Sequence, residues 1–250
     1  MRTIVIGDVH GCSDELEQLL YQLAPESTDL VVFLGDLVDR GPDPAGVLRS
    51  VQQLCERRQV VILRGNHEHK HLRYFRNAQA GKSNPVKLDD DQRQVHARVD
   101  VGLWQWLAGQ VRLYHRIDAG LLAVHAGVLP SVRQWPASDE ELQDWPAPRR
   151  QSLETSVLFA RDIDANGHFV SVGKQVPGQR FWGEVYDGRF GHVVHGHSAT
   201  RGQLRQHAFS TGIDTGCVYG FTLTAAVWQG QVAAPRPADQ FVQVEAQQAW

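Results

Sequence analysis

The chain has 250 residues, 42% hydrophobic and 21% charged, which are ordinary proportions for a globular protein with a sizeable core. Its 25 basic and 28 acidic residues give a formal net charge of −3, so the sequence lacks the basic field that sequence-independent nucleic-acid binding needs. No apolar run approaches the ~20 residues of a membrane span, and the N-terminal apolar stretch is too short for a signal peptide.

Cysteine and histidine usage narrows the class of protein further. Cys12, Cys55 and Cys217 are odd in number and far apart, which argues against a disulfide framework and against a CxxC zinc site. We therefore expect a cytoplasmic enzyme or binding protein. The 12 histidines beside a single methionine stand out, because imidazole binds metals and transfers protons near neutral pH.

The first third of the chain alternates apolar runs with segments of helical period. Residues 3–6, 30–34 and 60–63 are continuous apolar runs, typical of buried strands. Two helices are predicted between them, one with Ser13 as its N-cap and one with Asp43 as its N-cap. This order predicts a β-α-β-α-β unit whose parallel sheet is covered on both faces.

The middle of the chain is less regular. Residues 75–110 begin as polar, turn-rich sequence and continue into a helix, so we expect a cap or insertion beside the sheet. Residues 121–124 predict another strand, and residues 131–150, which carry two Trp-Pro pairs, predict a loop with aromatic anchors. The helix before residue 110 is expected to bury Val99, Leu103, Trp104, Trp106 and Leu107.

The last third has a different pattern. Apolar runs at 193–194, 220–224 and 225–228 are separated by Gly-rich turns and predict antiparallel hairpins. No repeat, low-complexity tract or linker divides the sequence. We therefore expect one α/β domain over residues 1–250.

Side chains that bind metals or transfer protons follow five of the predicted strands. Because ligand groups collect at the carboxyl ends of strands in open α/β sheets, we expect these side chains to lie close together. Taken alone, an aspartate would cap a turn and a histidine would be a hydrogen-bonded core residue, but five in series favour a shared site. They are Asp8 and His10, then Asp36, Asp39 and Arg40, then Asn66, His67 and Glu68, then His125, then His195 and His197.

The residue types indicate a metal centre. Carboxylate, imidazole and amide oxygen without a thiolate suit Mn²⁺, Fe or Zn²⁺ better than copper or an iron–sulfur cluster. The candidates exceed the needs of one ion, so a central carboxylate such as Asp36 would bridge two ions ~3.5–4 Å apart. Such a pair activates a water as nucleophile and binds phosphate oxygens.

Other residues fit the same chemistry. Arg40 offers a planar fork for phosphate oxygens. His67 would be the general acid that protonates the leaving oxygen, oriented by Asp39. Arg161 would be a second phosphate clamp or, equally by its spacing, a partner in a surface ion pair with a neighbouring aspartate.

Five runs resemble the motifs of the calcineurin-like metallophosphoesterases and, more narrowly, of the phosphoprotein phosphatase (PPP) family with its bacterial and phage members. The match covers residues 3–228, apart from 75–100 and 131–150. It implies an αββα sandwich, with two mixed β-sheets flanked by helices, and hydrolysis of phosphoric esters. The runs are Gly7-Asp8-Val9-His10-Gly11, Gly35-Asp36-Leu37-Val38-Asp39-Arg40-Gly41, Gly65-Asn66-His67-Glu68, His125-Ala126-Gly127 and Gly196-His197-Ser198.

The resemblance also implies a role for each matched residue. Two divalent ions are expected, Mn²⁺ foremost, with Fe, Zn²⁺ or Ni²⁺ as alternatives. His195 is left as a neighbour of the site, and His69 and His71 are expected to line the exposed or insertion-facing side of their helix. The implied set is Asp8, His10 and Asp36 for the first ion, Asp36, Asn66, His125 and His197 for the second, His67 and Asp39 as acid dyad, and Arg40, Arg161 and Arg64 for substrate.

The motifs leave the phosphate ester open. The intact Asp39-Arg40 pair and Glu68 resemble the protein-phosphatase type, so a Ser/Thr phosphatase acting on phosphoproteins is the leading hypothesis. Residues 125–130 and the Trp-Pro loop resemble the diadenosine tetraphosphatase branch, which is the alternative; a small phosphomonoester is a third candidate. A non-catalytic regulatory module with this fold is expected to have lost a ligand, and none of the six matched ligand positions departs from the pattern.

Overall fold

The computed structural model describes residues 1–81, 83–171 and 173–250. Its strands, in chain order, are β1 (Arg2–Ile6), β2 (Leu30–Phe33), β3 (Gln59–Leu63), β4 (Val111–Arg112), β5 (Tyr114–Asp118), β6 (Leu121–Val124), β7 (Asp162–Ile163), β8 (Phe169–Val170), β9 (Arg180–Phe181), β10 (His192–His195), β11 (Arg205–His207), β12 (Ser210–Gly212), β13 (Thr222–Gln229) and β14 (Gln240–Glu245). Its helices are α1 (Ser13–Leu23), α2 (Pro44–Cys55), α3 (Asn66–Gln79), α4 (Asp90–Arg98), α5 (Val101–Gln110), α6 (Asp139–Asp144), α7 (Ala147–Phe159) and α8 (Trp182–Val185).

The larger sheet has the strand order β14-β13-β1-β2-β3-β4. β1, β2 and β3 are parallel neighbours, so their carboxyl ends lie at the same edge of the sheet. The predicted β-α-β-α-β unit is therefore confirmed, with α1 and α2 as its crossovers. α2 begins as expected, because the Asp43 side chain accepts a hydrogen bond from the Gly46 N–H at 2.8 Å.

The second sheet has the order β11-β12-β10-β6-β5. β10 lies between β6 and β12 and runs parallel to both, whereas β5 and β11 are antiparallel to their neighbours. β6 and β10 therefore also end at a common edge. A small third sheet, β8-β7-β9, lies apart from these two.

Alternate residues of the strands fill different layers of the core. Ile4 packs with Leu16 of α1 and Leu48 of α2, on the helical side of the larger sheet. Its neighbour Val5 packs with Val194 of the second sheet, so the two sheets face each other. The predicted αββα sandwich is confirmed. The outer face of the second sheet packs on α7 and α8 through Leu122, Val193, Leu153, Val157 and Trp182.

The last third differs from the predicted hairpins. The run at 193–194 belongs to β10, which is a parallel strand of the second sheet. The runs at 220–224 and 225–228 form one strand, β13, because no turn residue separates Thr224 from Ala225. β13 does pair antiparallel with β14, but ten residues connect Gln229 to Gln240, in place of a tight turn.

The two irregular segments contain more helix than expected. Residues 75–110 comprise the end of α3 together with α4 and α5. Residues 131–150 contain α6 and the start of α7, in place of an uninterrupted loop. No helix in the described ranges is long and apolar enough to cross a bilayer. Among the five side chains expected to be buried near α5, only Trp106 is partly exposed. The other four, Val99, Leu103, Trp104 and Leu107, are buried.

Candidate active site

The carboxylate of Asp36 lies at the centre of the polar cluster. Its Oδ2 is 3.6 Å from Nε2 of His10, 3.5 Å from Nε2 of His125 and 4.0 Å from Nε2 of His67. Asp36 follows β2, His10 follows β1 and His125 follows β6, so both sheets contribute to the cluster. These distances show that the strand ends lie close together, as the sequence predicted.

Two groups of potential metal ligands share Asp36. One is formed by His10, Asp36 and His67, and the other by Asp36, His125 and His197, with the donor atoms of each group within 4.8 Å of one another. In the second group Nε2 of His125 lies 3.2 Å from Nδ1 of His197 and 3.0 Å from Oδ1 of Asn66. A carboxylate common to two groups is the arrangement that a bridging ligand requires.

Asp8 borders the same cluster. Its carboxylate accepts the backbone N–H of His197, at 3.2 Å from Oδ1 and 3.0 Å from Oδ2. Burial raises the pKa of Asp8 well above its ordinary value, and the nearby Asp214 and Asp36 carboxylates raise it further. A divalent cation offsets this kind of penalty, because it favours the ionised form of each carboxylate.

The imidazoles are oriented as metal ligands usually are. Nδ1 of His10 lies 2.9 Å from the Val38 carbonyl, and Nδ1 of His125 lies 2.9 Å from the Leu34 carbonyl. Because a carbonyl only accepts, each Nδ1 carries the hydrogen, and each Nε2 presents a lone pair to the cluster. Burial also lowers the pKa of His10 to about 3, which keeps the ring neutral. The residues therefore fit a divalent metal centre.

The backbone is unusual at these residues. Five of the six positive-φ, non-glycine residues in the described ranges lie at the cluster, and such conformations concentrate at functional sites. All six are His10 (47°), Ala24 (40°), Asp36 (51°), Asp39 (70°), Arg40 (69°) and His197 (66°).

Two glycines of the motifs are needed for close approach. A Cβ on Gly65 would lie 2.1 Å from Oδ1 of Asp36, and one on Gly196 would lie 1.9 Å from Oδ1 of Asp8. A side chain at either position would displace a carboxylate of the cluster. The structure thus gives a steric reason for glycine in these two motifs.

Glu68 holds the loop that carries Asp36. Its buried carboxylate accepts four backbone N–H groups, those of Asp36 (2.7 Å), Leu37 (2.8 Å), Val38 (3.2 Å) and Gly65 (3.0 Å). Burial and the neighbouring Asp36 charge raise the pKa of Glu68 to about 7, although the amide donors oppose that rise. Glu68 therefore joins the loop after β2 to the start of α3.

His67 and Asp39 form a short hydrogen bond, with 2.5 Å between Nδ1 and Oδ2. Burial lowers the pKa of His67, but the Asp36 and Asp39 carboxylates outweigh it, so the pKa lies above its ordinary value. In Asp39, hydrogen bonds from imidazoles outweigh burial and lower the pKa of the carboxyl. This polarity keeps a proton on His67, as a general acid requires.

The three candidate substrate-binding arginines lie in two places. Arg40 has Nη1 2.8 Å from Nε2 of His10, and Arg161 donates from Nη2 to the carbonyl of His197 at 2.6 Å. Both therefore border the cluster, and Arg161 is not engaged in the alternative surface ion pair. Arg64 is separate from them: it donates to Oε1 of Glu154 at 2.6 Å in a neighbouring groove.

Two further histidines near the site lie where the sequence predicted, and one carboxyl was missed. His71 lies on the insertion-facing side of α3, which was one of the two expected positions: it is fully buried, stacks on His96 and Trp104, and is bonded to Asp39. His195 is buried against Trp182, 5.0 Å between ring centroids, and is outside both ligand groups. Asp214 is a further buried carboxyl near Asp8; it follows β12, so a strand-end signal could have found it.

A cavity of about 670 Å³ opens beside the cluster. Asn66 and His197 line its inner end, and Arg161 and Arg205 supply positive charge. Aromatic rings from Phe159, Phe169 and Phe181 complete the wall. The cavity therefore offers both cationic and aromatic contacts next to the metal-ligand candidates.

Known proteins are similar to this chain over most of its length. A family model for calcineurin-like phosphoesterases matches residues 1–201. An asymmetrical bis(5′-nucleosyl)-tetraphosphatase, PrpE, of Halalkalibacterium halodurans is 32% identical over 243 residues, covering 90% of this chain and 89% of the relative. A symmetrical bis(5′-nucleosyl)-tetraphosphatase of Serratia proteamaculans is 30% identical over 279 residues, covering 96% and 95%.

Two solved structures share the fold. One, with a provisional assignment as a diadenosine tetraphosphatase, has a TM-score of 0.70 and 25% identity, covering 98% of this chain and 93% of that chain. A protein serine/threonine phosphatase of Saccharomyces cerevisiae has a TM-score of 0.62 at 17% identity, covering 98% and 79%. The chain belongs to the calcineurin-like phosphoesterase family and is a hydrolase of phosphoric ester bonds.

Proposed function

We propose that the protein hydrolyses dinucleoside tetraphosphates at a centre of two divalent ions. The observation that carries this proposal is the cavity beside the Asp36 cluster, in which arginine and phenylalanine side chains lie next to the ligand candidates. Guanidinium groups suit phosphate oxygens, and aromatic rings suit a nucleoside base. Relatives that cover 90% or more of this chain are named as bis(5′-nucleosyl)-tetraphosphatases, which supports the same substrate class.

The proposal assigns the ligands as the sequence motifs implied. Asp8, His10 and Asp36 would hold one ion, and Asp36, Asn66, His125 and His197 the other, with Mn²⁺ as the proposed metal. When bound, two such ions lower the pKa of a water and offset the charge of the phosphate. The protein orients this set through Glu68, the Val38 and Leu34 carbonyls and the close glycines described above.

The remaining residues act on the substrate. Arg40 contacts His10 and Arg161 contacts His197, and from there their guanidinium groups would hold non-bridging oxygens of the scissile phosphate. His67 would protonate the leaving oxygen, since Asp39 orients its ring and keeps it protonated. In a dinucleoside tetraphosphate that leaving oxygen belongs to the phosphate of the departing nucleotide.

The leading hypothesis from the sequence motifs, a Ser/Thr protein phosphatase, becomes the second candidate. Its support is the intact Asp39-Arg40 pair and Glu68. The yeast phosphatase adds little to it, because that protein has a similar fold but is only 17% identical. The full-length relatives favour the alternative that residues 125–130 had suggested. A non-catalytic module is set aside, because the chain is a phosphoesterase with its ligand candidates in place.

The test is a side-by-side assay of diadenosine tetraphosphate and a phosphoserine peptide with Mn²⁺-loaded protein. We expect kcat/KM for the dinucleotide to exceed that for the peptide by at least about tenfold, a transition-state difference of ~1.4 kcal/mol. Product analysis then separates two ADP from AMP plus ATP. Preferential hydrolysis of the peptide would reject the proposal.

Metal identity needs its own experiment. After chelation and dialysis, Mn²⁺, Zn²⁺, Ni²⁺ and Fe²⁺ are added back singly at equal free concentration. We expect activity to be lost on chelation and restored best by Mn²⁺, since the mixed carboxylate, imidazole and amide donors suit this moderately hard ion.

We also propose that residues 1–250 act as a single domain in the cytoplasm. All three cysteines are free, and nucleotides are intracellular compounds. Limited proteolysis tests the first part, because a single cooperative domain resists internal cleavage; fractionation of the native cells tests the second.

A further inference from the structure

A second cavity, of about 1010 Å³, lies between α3 and α7. It is larger than the cavity beside the metal cluster, and the two share Asn66 and Phe159 on their walls. Because Asn66 is also a ligand candidate, the groove begins at the reaction centre. We call it the α3–α7 groove.

One face of α3 forms one wall of the groove. Beginning at Asn66, the lining side chains are Lys70, Arg73 and Asn77, spaced four, three and four residues apart, with Arg76 beside them. This spacing places them in one row along the helix. At 1.5 Å per residue, the row from Asn66 to Asn77 extends about 16 Å from the metal cluster.

The facing wall comes from α7. Arg150 and Glu154, four residues apart, line it from one face of the helix, and Phe159 lines it from the C-terminal end of α7. Arg64, at the end of β3, adds a further guanidinium at the junction with α3. The groove is therefore a channel between two helices that reaches the cluster at Asn66.

The charge of the groove is strongly one-sided. Among the described residues, five cationic side chains line it against the one carboxylate of Glu154, although the whole chain carries a net charge of −3. Like charges three or four residues apart on a helix destabilise it slightly. An anion in the groove would offset this effect. The five are Arg64, Lys70, Arg73, Arg76 and Arg150.

The ion pair between Arg64 and Glu154 leaves part of the Arg64 guanidinium without a hydrogen-bond partner among the described residues. Nη2 of Arg64 donates to Oε1 of Glu154, but its buried Nε has no such partner within the described ranges. A buried donor without a partner is uncommon in folded proteins.

We propose that the α3–α7 groove binds the phosphate chain of the substrate beyond the scissile phosphate. This rests on the proposed function, because a dinucleoside tetraphosphate has such a chain and a phosphoserine side chain does not. The groove would act as a specificity determinant for polyphosphates: Lys70, Arg73 and Arg76 would contact phosphates at increasing distance from the cluster. A single phosphate would bind at the cluster without reaching this row.

The test compares inhibitors of p-nitrophenyl phosphate turnover by Mn²⁺-loaded protein at constant free Mn²⁺. ATP probes the groove and inorganic phosphate probes the cluster. The variant is Arg73→Gln with Arg76→Gln, which removes two charges and leaves shorter side chains that are still polar. The control is Arg57→Gln, an exposed arginine between α2 and β3, at the opposite edge of the sheet.

We expect the double variant to raise Ki for ATP about tenfold and Ki for inorganic phosphate less than about twofold, as lost contacts of ~1.4 kcal/mol in total would do. KM for diadenosine tetraphosphate should rise by a similar factor. An unchanged Ki for ATP, or an equal rise for both inhibitors, would overturn the proposal. Failure of the wild type to cleave diadenosine tetraphosphate would instead reject the proposed function. The change in Ki for ATP relative to that for inorganic phosphate would still test whether the groove binds a phosphate chain.

Discussion

The carboxylate of Asp39 accepts a hydrogen bond from His71 as well as from His67. Nε2 of His71 lies 2.7 Å from Oδ1, and Nδ1 of His67 lies 2.5 Å from Oδ2. His71 is fully buried and stacks on Trp104, with 5.0 Å between ring centroids, and on His96, with 5.5 Å. The acid dyad thus extends from the cluster to the side chains of α4 and α5.

This contact leads to a first prediction. His71→Phe keeps an aromatic ring in the stack but removes the hydrogen bond to Asp39. We expect kcat for an alkyl phosphate to fall about tenfold, because a hydrogen bond to a charged group contributes ~1.5–3 kcal/mol and ~1.4 kcal/mol is one decade in rate. KM should change little, since His71 does not line the substrate cavity.

The matched control is His96→Phe. His96 stacks on the same rings, but its contact is with Nδ1 of His71 and not with Asp39. A loss in kcat that is equal for both variants would mean that the stack, and not the hydrogen bond, is what matters. Thermal unfolding of both variants identifies any general loss of stability.

The role of His67 has a separate test in the leaving group. His67→Ala removes the proposed acid, so the rate should fall by about 10²-fold or more for an alkyl phosphate, whose leaving oxygen needs a proton. For p-nitrophenyl phosphate the loss should be much smaller, because nitrophenolate leaves without one. The measurement is kcat/KM over a series of leaving groups. A uniform loss across the series would contradict an acid role.

Asp36 allows a test by metal content. Asp36→Asn keeps the Oδ1 acceptor for the backbone N–H of His67 but removes the charge that the two ligand groups share. We expect the variant to lose both ions together, with less than about one Mn²⁺ per chain after gel filtration, because a bridging ligand serves both sites. Asp164→Asn, at an exposed carboxyl far along the chain, is the control. Two retained ions would show that Asp36 is not the bridge.

The site residues in the first third of the chain were predictable because the sequence patterns that indicate them are local. Asp8, Asp36 and Asn66 follow continuous apolar runs, and parallel strands bring such positions to one edge. The hydrogen bond from His71 to Asp39 was not predictable in this way. The burial of His71 depends on α4 and α5 folding back over α3, and the spacing of α3 does not decide between the exposed and the insertion-facing position.

The strand pairing in the last third of the chain could also not be predicted from the local sequence pattern. The short apolar run of β10 fits a hairpin as well as a parallel strand, and only its neighbours β6 and β12 decide between them. The basic groove was missed for a similar reason: Lys70, Arg73 and Arg76 are unremarkable on an exposed helix until Arg64 and Arg150 face them.

A last prediction concerns the pH dependence of stability at the start of the sheet. Asp29, which is buried just before β2, accepts hydrogen bonds from Arg2 at N (2.7 Å), Nε (2.9 Å) and Nη2 (2.6 Å). Burial raises the pKa of this carboxyl, but Arg2 and the Glu26 N–H outweigh it, so the pKa lies below its ordinary value. The ionised form is therefore favoured by folding.

Because the pKa is lowered in the folded protein, the stabilisation is present above the pKa of the unfolded chain, ~3.9, and is lost as pH falls through the folded value. At pH 7 we expect Asp29→Asn to lower the free energy of unfolding by about 2 kcal/mol, as loss of a charge-assisted pair does. The gap to the wild type should close as the pH falls below ~4. Urea unfolding of both proteins between pH 7 and pH 2.5 measures it, and a gap that stays constant with pH would contradict a role for the Asp29 charge.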